Sequence, residues 1–124
     1  MLAAIPYRPH QLADGKSGTR THVVLDHPKN GTRNVIAAGG AGTQIWVYGL
    51  AFTVSAAGTV TWQDTDAGAL TGTMAFAANG GLCWPDNGDM NCPIWKAPTN
   101  KGLDVVLSAD ADMDGWLVYA VVTV

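Results

Sequence analysis

Two segments of this 124-residue chain alternate with the two-residue period of a β-strand and yet carry apolar side chains on both faces. In residues 44–54, Trp46, Tyr48, Leu50, Phe52 and Val54 share one face; Ile45, Val47, Gly49, Ala51 and Thr53 share the other. In residues 116–124, Trp116, Val118, Ala120, Val122 and Val124 stand opposite Leu117, Tyr119, Val121 and Thr123. A strand in a small antiparallel sandwich has one inward face. The surplus apolar face needs a second cover, from an N-terminal arm or from another copy of the molecule. Self-association is the expectation, with Ile45, Val47, Leu117, Tyr119 and Val121 on the contact.

Other segments alternate in the ordinary half-solvated way. Val60 and Trp62 face away from Thr59, Thr61 and Gln63, and Leu103, Val105 and Leu107 oppose Asp104, Val106 and Ser108. Further strands are expected over residues 21–25, 34–38, 73–77 and 81–84, separated by Asn30-Gly31, Gly39-Gly40-Ala41-Gly42 and Asn79-Gly80. Composition agrees. Fifteen Gly, six Pro and ten acidic residues that are all Asp leave a helix without its acidic former and with many breakers. The expected fold is all-β, an antiparallel β-sandwich or jelly roll formed by residues 21–124 as one domain. Residues 1–20, with Pro6, Pro9, Gly15 and Gly18 and no period, read as an extended arm.

Formal net charge is −3. That balance argues against general nucleic-acid binding, which rests on stacked Lys and Arg. The distribution says more. Residues 1–40 carry five basic side chains against two Asp, and residues 41–124 carry two lysines against eight Asp. A basic arm on an acidic body is suited to meeting an acidic surface on another protein. No stretch reaches the ~18 apolar residues of a membrane span, and Pro6 interrupts the start before a signal core could form. Synthesis on the cytosolic side is the expectation.

Several residues invite a chemical reading. Asp110-Ala111-Asp112-Met113-Asp114-Gly115 copies the opening of a Ca²⁺ loop, in which alternate carboxylates converge on a hard cation. The closing Glu is replaced by Val121, so a plain turn between two strands competes with it. Cys83 and Cys92 flank a short loop; a disulfide there would contribute about 2–3 kcal/mol, whereas cytosolic synthesis favours free thiols. His10, His22 and His27 sit in the arm and first strand with no nucleophile motif beside them, and Gly39–Gly42 lacks the Lys-Ser/Thr of a phosphate loop. No catalytic constellation is expected. Of the five Trp, Trp46, Trp62 and Trp116 are expected in the core; Trp84 and Trp95 are expected at a subunit contact or, alternatively, stacked on a sugar ring.

From about Val47 onward the order of phrases is distinctive: Ala51-Phe52-Thr53-Val54-Ser55-Ala56-Ala57-Gly58-Thr59-Val60-Thr61-Trp62-Gln63-Asp64, then Leu70-Thr71-Gly72, then Ala77-Ala78-Asn79-Gly80-Gly81. Gly102-Leu103-Asp104-Val105-Val106-Leu107-Ser108-Ala109 and Gly115-Trp116-Leu117-Val118-Tyr119 close the series. This region resembles the small proteins of tailed-phage virions that decorate and stabilise the capsid. The resemblance implies a β-sandwich assembled as a homotrimer on the outside of the shell, made in the host cytoplasm, with the major capsid protein as partner. It implies no cofactor and no reaction. The arm, through Tyr7, Arg8, Lys16 and Arg20, would contact the capsid. A carbohydrate-binding or calcium-dependent adhesive module on the virion is the alternative.

Overall fold

The computed structural model describes residues 9–11 and 16–124, and within them the chain is all β, without a helix. The strands are β1 (Pro9–Gln11), β2 (Ser17–His27), β3 (Gly31–Ile36), β4 (Thr43–Val54) and β5 (Gly58–Asp64). They continue with β6 (Met74–Phe76), β7 (Gly81–Trp84), β8 (Trp95–Lys96), β9 (Leu103–Leu107) and β10 (Met113–Thr123). One antiparallel sheet has the order β1-β2-β10-β4-β7, with β8 also paired to β4; the second has the order β3-β9-β5-β6. The two pack face to face as an antiparallel β-sandwich.

The inner faces supply the core. Leu25, Ile45, Val47, Leu50, Phe52 and Leu117 from the first sheet meet Ile36, Val60, Trp62, Leu103, Val105 and Leu107 from the second. Trp62 lies at the centre, fully buried, with Phe52 and Trp95 rings 6.2 and 6.0 Å away. Val60, Trp62, Leu103, Val105 and Leu107 all point inward as expected, while Asp104 on the other parity of β9 is buried too, where its Oδ1 accepts from the Asn34 amide.

Strand β4 departs from a single period. Val118 of β10 stands opposite Gly49, and Tyr119 stands opposite Val47, so Tyr48 is an extra residue in the ladder. This β-bulge shifts the phase of the strand. Ile45 and Val47 point into the core before it; Leu50, Phe52 and Val54 do so after it. The face that carries Trp46 and Tyr48 is therefore the opposite of the face that carries Leu50. The subunit contact expected at Ile45, Val47 and Leu117 is unavailable, since all three are fully buried between the sheets of one chain. Tyr119 is half-buried against the same core, and Val121 is exposed near the end of β10.

Two strands start ahead of the expected positions. β2 begins at Ser17, four residues ahead of the expected strand, and Lys16 to Arg20 belong to the body of the fold. Ser17, Gly18 and Thr19 carry no apolar period, and they join the sheet through backbone pairing to β1, with Ser17 also opposite Thr123 of β10. Tyr7 and Arg8 lie outside the described residues. β10 begins at Met113, three residues ahead of expectation, because Met113 is a fully buried inward residue across from Val54.

Candidate functional site

The outer face of the first sheet is where the surplus apolar residues gather. Strand register places its side chains in rows that run across four strands. One row is Cys83, Ala51, Trp116 and Val24; the next is Gly81, Thr53, Asp114 and Asp26. Toward the other end come Trp46, Ala120 and Arg20, then Gln44 and Val122.

One half of this face is covered by the chain itself. Residues 85–94 fold back over it and form a second apolar cluster in which Trp46, Tyr48, Ala120, Val122 and Met90 are buried. The Tyr48 hydroxyl donates to the Met90 carbonyl at 2.9 Å. Arg20 Nη1 meets Asp86 Oδ2 at 2.5 Å. Gly49 is required under this loop, because a Cβ there would stand 2.7 Å from the Asp86 nitrogen. The loop is shaped locally by side-chain oxygens accepting from backbone N–H groups two residues on: Asp86 from Gly88, Asn87 from Asp89, and Asp89 from Asn91. Lys96 caps the Trp46 ring 4.1 Å from its centroid, and Lys16 approaches at 5.6 Å.

The other half is open. A shallow trough of about 420 Å³ runs over Ala51, Thr53, Gly81 and Cys83 and is bordered by Asp114 and Trp116. Trp116 is 38% exposed and Val24 71%, which makes this row the most prominent apolar feature on the sheet. Small residues on β4 and β7 make the trough, and the indole of β10 makes its wall.

The expected site residues distribute as follows. Lys16 and Arg20 serve the covered half of the face through Trp46 and Asp86. Trp62 is in the core as expected; Trp46 is buried on the outer face, and Trp116 is exposed. Trp95 packs against the core, so of the two loop tryptophans Trp84 is the one left exposed. Cys83 and Cys92 are free and exposed, with no bridge between them. The negative charge of Asp89, which also holds a hydrogen bond with the thiol, pushes Cys92 above the usual thiol range.

The three carboxylates at 110, 112 and 114 do not converge. Asp110 accepts from the Asn30 N–H, Asp112 donates its backbone N–H to Ser55, and Asp114 stands in β10 across from Asp26 and Thr53. Among the described residues no group of three or more His, Cys, Asp or Glu side chains is arranged to hold a metal ion. His27 is buried near Gly31, whose carbonyl lies 3.1 Å from its Nε2. No helix among the described residues is long and apolar enough to cross a membrane.

Two exposed residues of the open row were not singled out as surface contacts by pattern alone. Val24 has a usable signal: polar His22 and Asp26 stand two residues to either side, which marks that parity as outward. Trp116 has none, because both parities of its strand are apolar. Comparison with protein-family models, with curated proteins and with solved structures returns no match.

Proposed function

We propose that this chain is a structural protein of a tailed-phage virion, a decoration or cement protein that attaches to the outside of the capsid shell as a homo-oligomer and runs no reaction. The observation that supports this reading is the open row of Val24, Trp116, Ala51 and Cys83 on the outer face of the first sheet. An outward apolar row bordered by Asp26, Asp114 and His22 is the pattern of a protein contact, and Trp is among the residue types enriched at its energetic centre. The phrases between Ala51 and Tyr119 add the virion to that physical reading.

In this reading the row rests on the major capsid protein, and the segment with Tyr7 and Arg8 reaches along the shell. A protein that binds only the assembled shell stabilises it by mass action, by about 2.7 kcal/mol per site when its free concentration is 100 times Kd. The test is co-sedimentation with shells built from the capsid protein of the phage that encodes the chain. The parent is expected to pellet and to raise the shell melting temperature. The Trp116→Ser variant is expected to fold and stay in the supernatant. A parent that does not pellet, or a variant that pellets equally, defeats the proposal.

One observation favours a second reading. Trp116 borders the trough beside Asp114 and Thr53, a flat ring with polar flanks on which a sugar could stack. Most of the trough is apolar, which fits a protein better. Glycan binding that Trp116→Ser abolishes, without shell pelleting by the parent, would select the sugar.

A further inference from the structure

The open trough does not end at Trp116. It lies over β4, β7 and β10, toward the edge of the sheet opposite β1. It shares Thr53 and Asp114 with a second hollow of about 220 Å³, whose lining adds Ser55, Asn79 and Asp112. The first chamber is apolar, floored by Ala51 and Cys83 and walled by Trp116. The second is acidic, with the exposed Asp112 and Asp114 in its lining. A third carboxylate stands beside them, because Asp26 is directly opposite Asp114 across the β10–β2 pair. Like charges directly opposite one another on a sheet are unfavourable. Among the described residues the ion pairs join Arg20 to Asp86 and Lys101 to Asp66, and neither involves these three aspartates.

We propose that this composite groove seats an extended segment of the shell protein in which a large apolar residue and an arginine are separated by one residue. Trp116 and Ala51 form one row and Asp114 and Thr53 the next, two residues further along their strands, or about 7 Å. Side chains two apart in an extended chain point the same way at that same spacing. An apolar side chain seated against Trp116 therefore sets its second neighbour over Asp114, in either chain direction. Arginine suits that place better than lysine. Its planar fork offers five donors in fixed directions, enough to serve both carboxylates that line one hollow. A cation there also relieves the opposition of Asp114 to Asp26. An acidic residue would be repelled, and an apolar one would leave the carboxylates desolvated without a partner.

This contact deepens the shell reading and rests on it, naming the chemistry that the open row meets. Exposed ion pairs are weak one by one, so the apolar anchor supplies most of the hold and the carboxylates supply the choice of partner. A single short segment binds only in the millimolar range on this basis, and a homo-oligomer on a repeating shell gains by linking several such contacts.

The test is titration of the full chain, labelled with ¹⁵N, with a blocked heptapeptide Gly-Thr-Phe-Thr-Arg-Thr-Gly and two relatives, one with Asp in place of Arg and one with Ser in place of Phe. The first peptide is expected to shift the Trp116 indole N–H and the Asp114 amide, and either relative to bind about tenfold more weakly. Asp114→Asn is expected to weaken the Arg peptide by about fivefold while melting no lower than the parent, because the carboxylate it removes opposes Asp26. Equal affinity for the Arg and Asp peptides, or no shift at Trp116 at millimolar peptide, overturns the assignment. A lower melting temperature for Asp114→Asn makes that carboxylate a structural group and overturns it too. Shell pelleting separates this contact from the reading beneath it. Pelleting undiminished in Asp114→Lys overturns the arginine contact and leaves the shell reading standing, whereas a parent that does not pellet defeats the shell reading and, with it, the shell protein as the occupant.

Discussion

Trp62 and Trp116 carry the same side chain in opposite surroundings. Trp62 is fully buried against Phe52 and Trp95, and Trp116 is 38% exposed beside an open trough. Trp62→Ala is expected to cost about 3–5 kcal/mol in chemical denaturation, since it leaves a cavity between the sheets. Trp116→Ala is expected to cost less than about 1 kcal/mol, as surface changes do. Tyr48 is a second residue whose place decides its chemistry. Burial above all, with Asp86 and Asp89 adding and the Arg20 charge opposing, pushes its phenol up to about 12 from 10.0. The folded chain thus favours the neutral phenol. That contribution to stability is fully present below pH 10 and is lost as pH climbs from about 10 through about 12. Phenolate absorbance is expected to show a step near pH 12 that Tyr48→Phe removes.

At the level of elements, the bulge at Tyr48 lets one strand serve two apolar clusters. A strand in one continuous phase would have to send Trp46 and Leu50 to the same side; the extra residue sends them to opposite sides. The two central strands also lie unusually close at one point. A Cβ on Gly115 would stand 1.9 Å from the Ala51 carbonyl oxygen and 2.7 Å from the Phe52 Cα. Both are backbone atoms and cannot swing aside, so Gly115 fits because it has no side chain. Gly115→Ala is expected to lose more than about 2 kcal/mol in urea titration or to fail to fold. Residues 85–94 act as a built-in cover. Met90→Ala is expected to cost about 2–4 kcal/mol and to shift Trp46 emission to longer wavelength, because Met90 is buried in the cluster with that ring.

For the molecule as a whole, the first sheet draws on residues before 21: β1 spans Pro9–Gln11 and β2 begins at Ser17. Deleting residues 1–20 would remove the first residues of β2 and the Arg20–Asp86 contact. Deleting residues 1–15 removes the short edge strand β1 but keeps β2 whole. It is expected to leave β-type circular dichroism and a cooperative melt in place while weakening shell pelleting. Parental pelleting by that variant would take the arm out of the proposed contact.

The alternation of Val60 with Trp62 and of Leu103 with Val105 was enough to orient two strands, and the lack of Glu with the abundance of Gly was enough to dismiss helices. Those properties are local, set by the period of one strand and the propensity of each residue. The turn residues at 30–31 and 79–80 likewise mark breaks that the fold respects. The face of Trp46 and Trp116 was not legible, because both parities of their strands are apolar and period alone cannot choose. The tertiary structure decided it in two ways. A bulge reset the phase of β4 at Tyr48, and a loop some 40 residues further along the chain came back to cover Trp46 while stopping short of Trp116. Burial of an outward side chain depends on what lies above it in space, and that is a property of the folded chain that no strand carries in its own pattern.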